Sequence, residues 1–250
     1  MRGKLTCALV VASLCALATP AAAKKTKLST RARSCADLPR GVRLPASGPG
    51  WAIPTTWERR GLAWGTRDLV ALIKRVAQRL DEQQLGVPLR VADLSPRGGG
   101  ASAWHKTHRR GTDVDLIFFM LDGSGEPAPA PRAMLVFDAD GKGAAKDNLG
   151  NEVPPRRFDV ARNWRLVRAL LEDRAGNVER ILIAKTLQHL LLEHARSIGA
   201  PARIIERAAL VMHEPTRAPP HDDHMHVRIA DPNPPCPMVA SAKRPKRRQP

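Results

Sequence analysis

Beyond its first two dozen residues this chain has no apolar run long enough to cross a bilayer, which excludes a membrane-spanning segment there. It has no internal repeat, no glycine-rich phosphate-loop pattern and no recognised nucleic-acid motif, so nothing supports a nucleotide or nucleic-acid partner. Cysteine is scarce: of four, Cys7 and Cys15 lie within the first 23 residues, leaving Cys35 and Cys236. Acidic residues are short as well, 24 against 41 Lys and Arg, for a net charge of +17. That imbalance favours attraction to anionic polymers or an anionic cell-envelope surface.

What is present reads as one globular domain with appendages. The 250 residues are 43% apolar and 26% charged, ordinary for a chain that buries a real core. Residues 1–23 have the form of a secretory signal: Arg2 and Lys4, an apolar Leu5 to Leu17, then Ala21-Ala22-Ala23 for cleavage. Loss of that segment removes Arg2 and Lys4 and leaves a net charge of +15. Export to the periplasm or the medium follows, and an exported protein with two cysteines is expected to pair Cys35 with Cys236. Residues 24–40 form a basic leader, 41–240 the domain, and 241–250 a basic disordered tail.

Within the domain, Leu69, Leu72, Ile73, Val76 and Leu80 recur at helical spacing, predicting a helix from Thr66 or Arg67 to Leu85. Val87 to Leu94 reads as a strand running into Gly98-Gly99-Gly100, glycines that would let the backbone pass close to a ligand. Thr112 to Phe119 is a second strand, with Val114, Leu116 and Phe118 turned to the core. A short strand is expected at Met134 to Asp138, then a helix from Asp159 to Ala175, a strand from Val178 to Ala184, and helices at Thr186 to Ile198 and Pro201 to Val211. Trp51, Trp57 and Trp64 are read as core anchors rather than a platform beside a groove. His189 and His194 are read as ordinary helix-surface residues, and His213 carries only a weak signal.

Two stretches concentrate the chemistry. His105, His108, Asp113 and Asp115 fall within eleven residues, and His221, Asp222, Asp223, His224 and His226 within six. On strands, Asp113 and Asp115 share a face, as do His224 and His226. Two imidazoles and a carboxylate suit zinc with a fourth position left for water, and His108, Asp115 and His226 supply that set. His224 would then lie beside the metal, placed to handle protons or steady an oxyanion.

The pattern His105-x-x-His108-x-x-Gly111-x-Asp113-x-Asp115, followed by His221-x-x-His224-Met225-His226-Val227-Arg228, resembles the penicillin-insensitive murein endopeptidases. These belong to the superfamily of lysostaphin-type peptidases, D-Ala-D-Ala peptidases and hedgehog domains. Trp64-Gly65-Thr66, Val91 to Ser95, Gly98-Gly99 and Asp113 to Leu116 look like that family too. The resemblance implies a zinc metallopeptidase that cuts the D-alanyl to meso-diaminopimelate cross-link of peptidoglycan. It implies His108, Asp115 and His226 as zinc ligands and His224 and His221 as catalytic histidines. His105 matches a residue that some members use at a second metal position, with Asp140 and Asp113 as further candidates there or behind the first metal. Those members have Asp-Gly-Lys-His where this chain has Asp140-Gly141-Lys142-Gly143, so one zinc is expected. Arg109 and Arg110 stand where the family often has Gln and a small or polar residue, and would meet a substrate carboxylate.

The expected fold is α+β: a small, mostly antiparallel sheet bearing the ligands on one face, flanked by helices, like hedgehog and D-Ala-D-Ala peptidase domains. Three alternatives remain at this level. They are a D-Ala-D-Ala carboxypeptidase or dipeptidase, a non-catalytic zinc module that binds cell wall, and a non-haem iron oxygenase.

Overall fold

The computed structural model describes residues 38, 40–83, 86–216 and 218–232. The signal segment, nearly all of the basic leader, Cys35, Cys236 and the basic tail lie outside these residues. In chain order the elements begin with β1 (Val42–Arg43), β2 (Ser47–Gly48), β3 (Trp51–Ala52), α1 (Thr55–Glu58), β4 (Trp64–Gly65), α2 (Arg67–Glu82) and β5 (Leu89–Val91). The middle holds β6 (Asp113–Ile117), β7 (Met120–Leu121), β8 (Pro127–Ala128), β9 (Arg157–Phe158) and α3 (Val160–Glu172). The chain closes with β10 (Val178–Leu182), α4 (Lys185–Ser197), α5 (Ala202–Val211), β11 (Met212–His213) and β12 (His224–Ile229).

Helix α2 begins where Thr66 caps it, its hydroxyl accepting from the Leu69 amide at 3.2 Å. Its stripe from Leu69 to Leu80 is buried, as the spacing predicted. Each large apolar side chain so buried contributes about 1.5–3 kcal/mol. Asp159 caps α3 in the same way, accepting from the Arg162 amide. Helix α3 packs against α2, α4 and α5.

The fold is α+β, but its main sheet is neither small nor uniform in direction. Seven strands run in the order β11-β10-β12-β6-β5-β3-β2, and the pairs β10–β11 and β3–β5 are parallel. Two smaller sheets, β1-β4 and β8-β7-β9, flank it. The extra strands were missed because β2, β3 and β11 are two residues long, too short to show alternation. Met134 to Asp138 is not a strand; Phe137 makes only an isolated bridge, to Gly143.

The two longest central strands, β6 and β12, sort the chemistry by face. Val114 sits opposite Val227 and Leu116 opposite Met225, in one continuous core with the helix stripes. On the other face Asp113 sits opposite Arg228, Asp115 opposite His226, and Ile117 opposite His224. The expected alternation is there, yet all five residues of β6 are buried, because the strand is central and covered on both sides. Two of the glycines before it are required by the backbone itself. Gly99, at φ 77°, faces the Arg109 carbonyl so closely that an added Cβ would lie 2.4 Å from it, and at Gly111 a Cβ would strike Leu38 and the Thr66 amide.

Candidate metal centre

Three buried groups meet on the charged face. His108 Nε2 lies 3.3 Å from Asp115 Oδ1, His226 Nδ1 lies 3.1 Å from the same oxygen, and the two ring nitrogens are 3.1 Å apart. The far sides of both rings fix their tautomers. His108 Nδ1 sits 2.7 Å from the Leu94 carbonyl, which can only accept, so Nδ1 carries the proton. His226 Nε2 sits 2.9 Å from Asp113 Oδ1 and carries its proton there. In the neutral rings the atoms facing one another are therefore two lone pairs, with a carboxylate oxygen between them. Asp115 Oδ1, shielded from water, has no hydrogen-bond donor of good geometry.

Such a cluster holds together only around added positive charge, either extra protons or a metal cation. Four ligands about 2.0–2.2 Å from a tetrahedral zinc stand roughly 3.4 Å apart, close to the spacing found. The donor set of two neutral imidazoles and a carboxylate fits that ion. Asp113 and the Leu94 carbonyl set the tautomers that ligation requires. Arg228 in turn holds Asp113, its Nη2 and Nε each 2.7 Å from Oδ1.

A second, looser grouping shares two of these members. His105, His108 and Asp115 have ligand atoms within 4.8 Å of one another. His105 stacks on His108 with centroids 4.0 Å apart and lies 3.7 Å from Asp115 Oδ2. Its Nε2, however, already has a carboxylate partner, Asp93 Oδ2 at 2.8 Å, an oxygen also held by Arg60 at 2.7 Å. His226 is the better third member of the set: its Nδ1 is closer and its far side is anchored.

His224 Nε2 approaches Asp115 Oδ1 at 3.4 Å, and its Nδ1 is held by Asp223 at 2.5 Å. Asp223 is held in turn by Asn148 at 2.5 Å. His221 stands beside His224, with ring centroids 4.7 Å apart, and its Nδ1 is buried without a partner. Without a cation the charges divide sharply. Burial and the neighbouring imidazoles push His221 down to about 4, so it is neutral. Burial would also lower His224, but Asp115 and Asp223 raise it to about 10. His226 moves up as well, its contacts with Asp113 and Asp115 outweighing burial. Asp115 is itself pushed up by burial, yet His108 and His224 hold it well below the usual carboxylate range.

The centre opens into a groove of about 990 Å³ between the 104–107 segment and the 213–223 segment. Trp104 stands at its rim, 60% exposed, with the Arg60 guanidinium 4.1 Å from its ring centroid. Trp51 and Trp57, by contrast, are core residues. His213 also lines the groove, in register with Leu182, which pairs with His226. His189 is exposed on α4 beside Glu193.

Two groups of expected site residues fall elsewhere. Asp140 is exposed in the turn that Asp138 organises and does not line the groove. Arg109 and Arg110 do not line the groove: the carbonyl of Arg109 is turned to Gly100, and Arg110 is paired with Asp231. Sequence reasoning missed Asp93, whose signal was a lone carboxylate in the apolar run Val91 to Leu94. It also missed Asn148 and Trp104, which lie in irregular segments with no periodicity to mark them.

The family model described as penicillin-insensitive murein endopeptidase matches residues 29–246. The chain belongs to that family. A protein of Salmonella paratyphi C named penicillin-insensitive murein endopeptidase is 27% identical over 194 residues, covering 76% of this chain and 61% of that protein. One of Salmonella arizonae with the same name is 28% identical over the same shares. The chain thus spans about 61% of the length of these relatives.

Proposed function

We propose that this chain is an exported zinc endopeptidase that hydrolyses the D-alanyl to meso-diaminopimelate cross-links of peptidoglycan. The observation that carries the reading is the convergence of His108, Asp115 and His226 with their lone pairs facing one another. In the order proposed, residues 1–23 are the signal, 24–40 a basic leader, 41–240 the peptidase domain and 241–250 a basic tail. Family membership supports the substrate, and the excess of positive charge supports attraction to an anionic envelope. Likeness to the hedgehog and D-Ala-D-Ala peptidase fold is part of the same proposal.

His108, Asp115 and His226 would hold one zinc, which when bound acidifies water and polarises a carbonyl. His221, kept neutral by burial, is suited to accept a proton from the attacking water. His224, its Nδ1 held by Asp223, is suited to stabilise the oxyanion that develops on the substrate carbonyl. Asp223 and Asn148 aim the His224 ring, Asp113 aims His226, and Asp93 aims His105. A groove of about 990 Å³ has room for a peptide segment beside the centre.

Metal analysis of the purified protein, run beside digests of cross-linked muropeptide dimers and of pentapeptides, tests this reading. About one zinc per chain and release of monomers from dimers are expected. Release of terminal D-alanine alone would favour a carboxypeptidase. Binding of sacculi without any product would make the chain a non-catalytic wall-binding module, and iron in place of zinc would reopen the oxygenase.

A further inference from the structure

Away from the metal centre, α1, β5 and the segment 130–132 enclose a pocket of about 510 Å³. Arg59, Arg90 and Arg132 converge on it with Thr55 and Thr56; the rest of its lining is proline and alanine. No carboxylate lines it, and it shares no lining residue with the groove. Arg60, Arg228 and Arg162 have acidic partners, in Asp93, Asp113 and Asp159. Arg90 has no such pairing among the described residues, and it shares a buried, unpartnered Nε with Arg156, which lies outside this pocket. Arg90 sits on a central strand, and its Nε is shielded from water with no hydrogen-bond partner. Burial lowers its pKa, the direction expected of a cation that lacks a counter-charge. A half-buried guanidinium without an anion is costly, and two further arginines beside it raise the cost by repulsion.

We infer that this pocket is a phosphate-binding site, with Arg90 at its floor and Arg59 and Arg132 as its jaws. Three guanidiniums offer more donors and more charge than one carboxylate can use, whereas a phosphate group supplies several acceptor oxygens and up to two charges. The hydroxyl of Thr55 adds a donor of the kind phosphate oxygens take, while that of Thr56 donates to the Arg132 carbonyl at 3.0 Å and ties α1 to the 130–132 segment. Its position is informative. Arg90 and His224 both pair with Ile117, on opposite sides of it. Their backbones are therefore about 10 Å apart, two strand spacings, and both side chains rise from the charged face. A phosphorylated component of the envelope bound here would lie beside the groove. The inference does not depend on the catalytic reading.

The test is calorimetric titration of the zinc-loaded full-length protein with inorganic phosphate and with acetate, ionic strength held constant with chloride. Saturable one-to-one binding of phosphate is expected, with acetate at least tenfold weaker. Arg90→Gln should weaken phosphate at least tenfold, and so should Arg59→Gln/Arg132→Gln, whose positions are exposed and tolerant if the first variant folds poorly. Arg203→Gln/Arg207→Gln removes the same charge from another basic pocket, one that Glu172 also lines, and should change nothing. Muropeptide hydrolysis should be unaffected in all three. Vesicles of phosphatidylcholine with and without phosphatidylglycerol identify the source. Binding to the anionic vesicles that phosphate displaces assigns a lipid headgroup, and phosphate binding without vesicle binding assigns a soluble phosphate ester. Absence of saturable phosphate binding, equal binding of acetate, or equal loss in the Arg203/Arg207 variant would overturn the proposal.

Discussion

The floor and the rim of the groove are built by opposite rules. On the floor, His108, Asp115 and His226 are all at most 5% exposed, on or beside central strands, each ring anchored on its far side. At the rim, Trp104, Lys106 and Asn148 are exposed and ride on irregular segments. Charge in the floor is tolerable only if a cation completes it, whereas charge at the rim is solvated in any case. The lesson is that metal and turnover should depend on the floor in an all-or-none way, and the rim should grade affinity.

His226→Ala strikes the floor hardest: zinc content should fall from about one per chain to none, and muropeptide release to background, by metal analysis and digest on the same sample. His224→Ala separates oxyanion stabilisation from ligation. Zinc should remain while kcat drops about 10²- to 10³-fold, the usual worth of one oxyanion-hole donor. Full turnover in that variant would remove His224 from the mechanism. Asp113→Asn leaves the ligands in place but loosens the His226 tautomer, and should weaken zinc about 10- to 100-fold in chelator competition.

Acidity probes the same floor. His226 is raised in the metal-free protein, so zinc must displace its proton, and zinc affinity should fall by about tenfold per pH unit as pH drops. Without zinc the sign reverses for folding. The stabilisation from a His224 raised from 6.5 to about 10 is complete below pH 6.5 and is lost as pH climbs toward 10. Melting of the metal-free protein should therefore fall across that range, by about 2–4 °C per kcal/mol lost, while the zinc-loaded protein should not follow. At the rim, Trp104→Ala should raise KM several-fold, with zinc unchanged. An equal loss of zinc would erase the distinction between floor and rim.

The long elements were legible because they are long enough to show a pattern: α2, α3, α5, β5, β6 and β10 fall within the expected segments, up to a few residues shorter, and α4 begins one residue before its expected start. The face pairing of Asp115 with His226 followed from the two-residue period of a strand. What did not show was anything fixed by partners far along the chain. Two-residue strands such as β3 exist because β5 and β2 lie beside them, and nothing local marks them. Asp93 and Asn148 likewise gain meaning from His105 and Asp223, 12 and 75 residues away. Arg109 and Arg110 misled because residues flanking a motif need not face the site, and Arg110 turns to Asp231 instead.

Strand β12 lies in the middle of the main sheet, between β10 and β6, yet among the described residues it is the last strand the ribosome would deliver. Until His226 emerges, β6 has no neighbour on that side, and Asp115 and His108 cannot enclose anything. Synthesis and assembly are thereby separated: partial chains that stop short of β12 carry half a reactive centre and stay inert, and competence waits for His226.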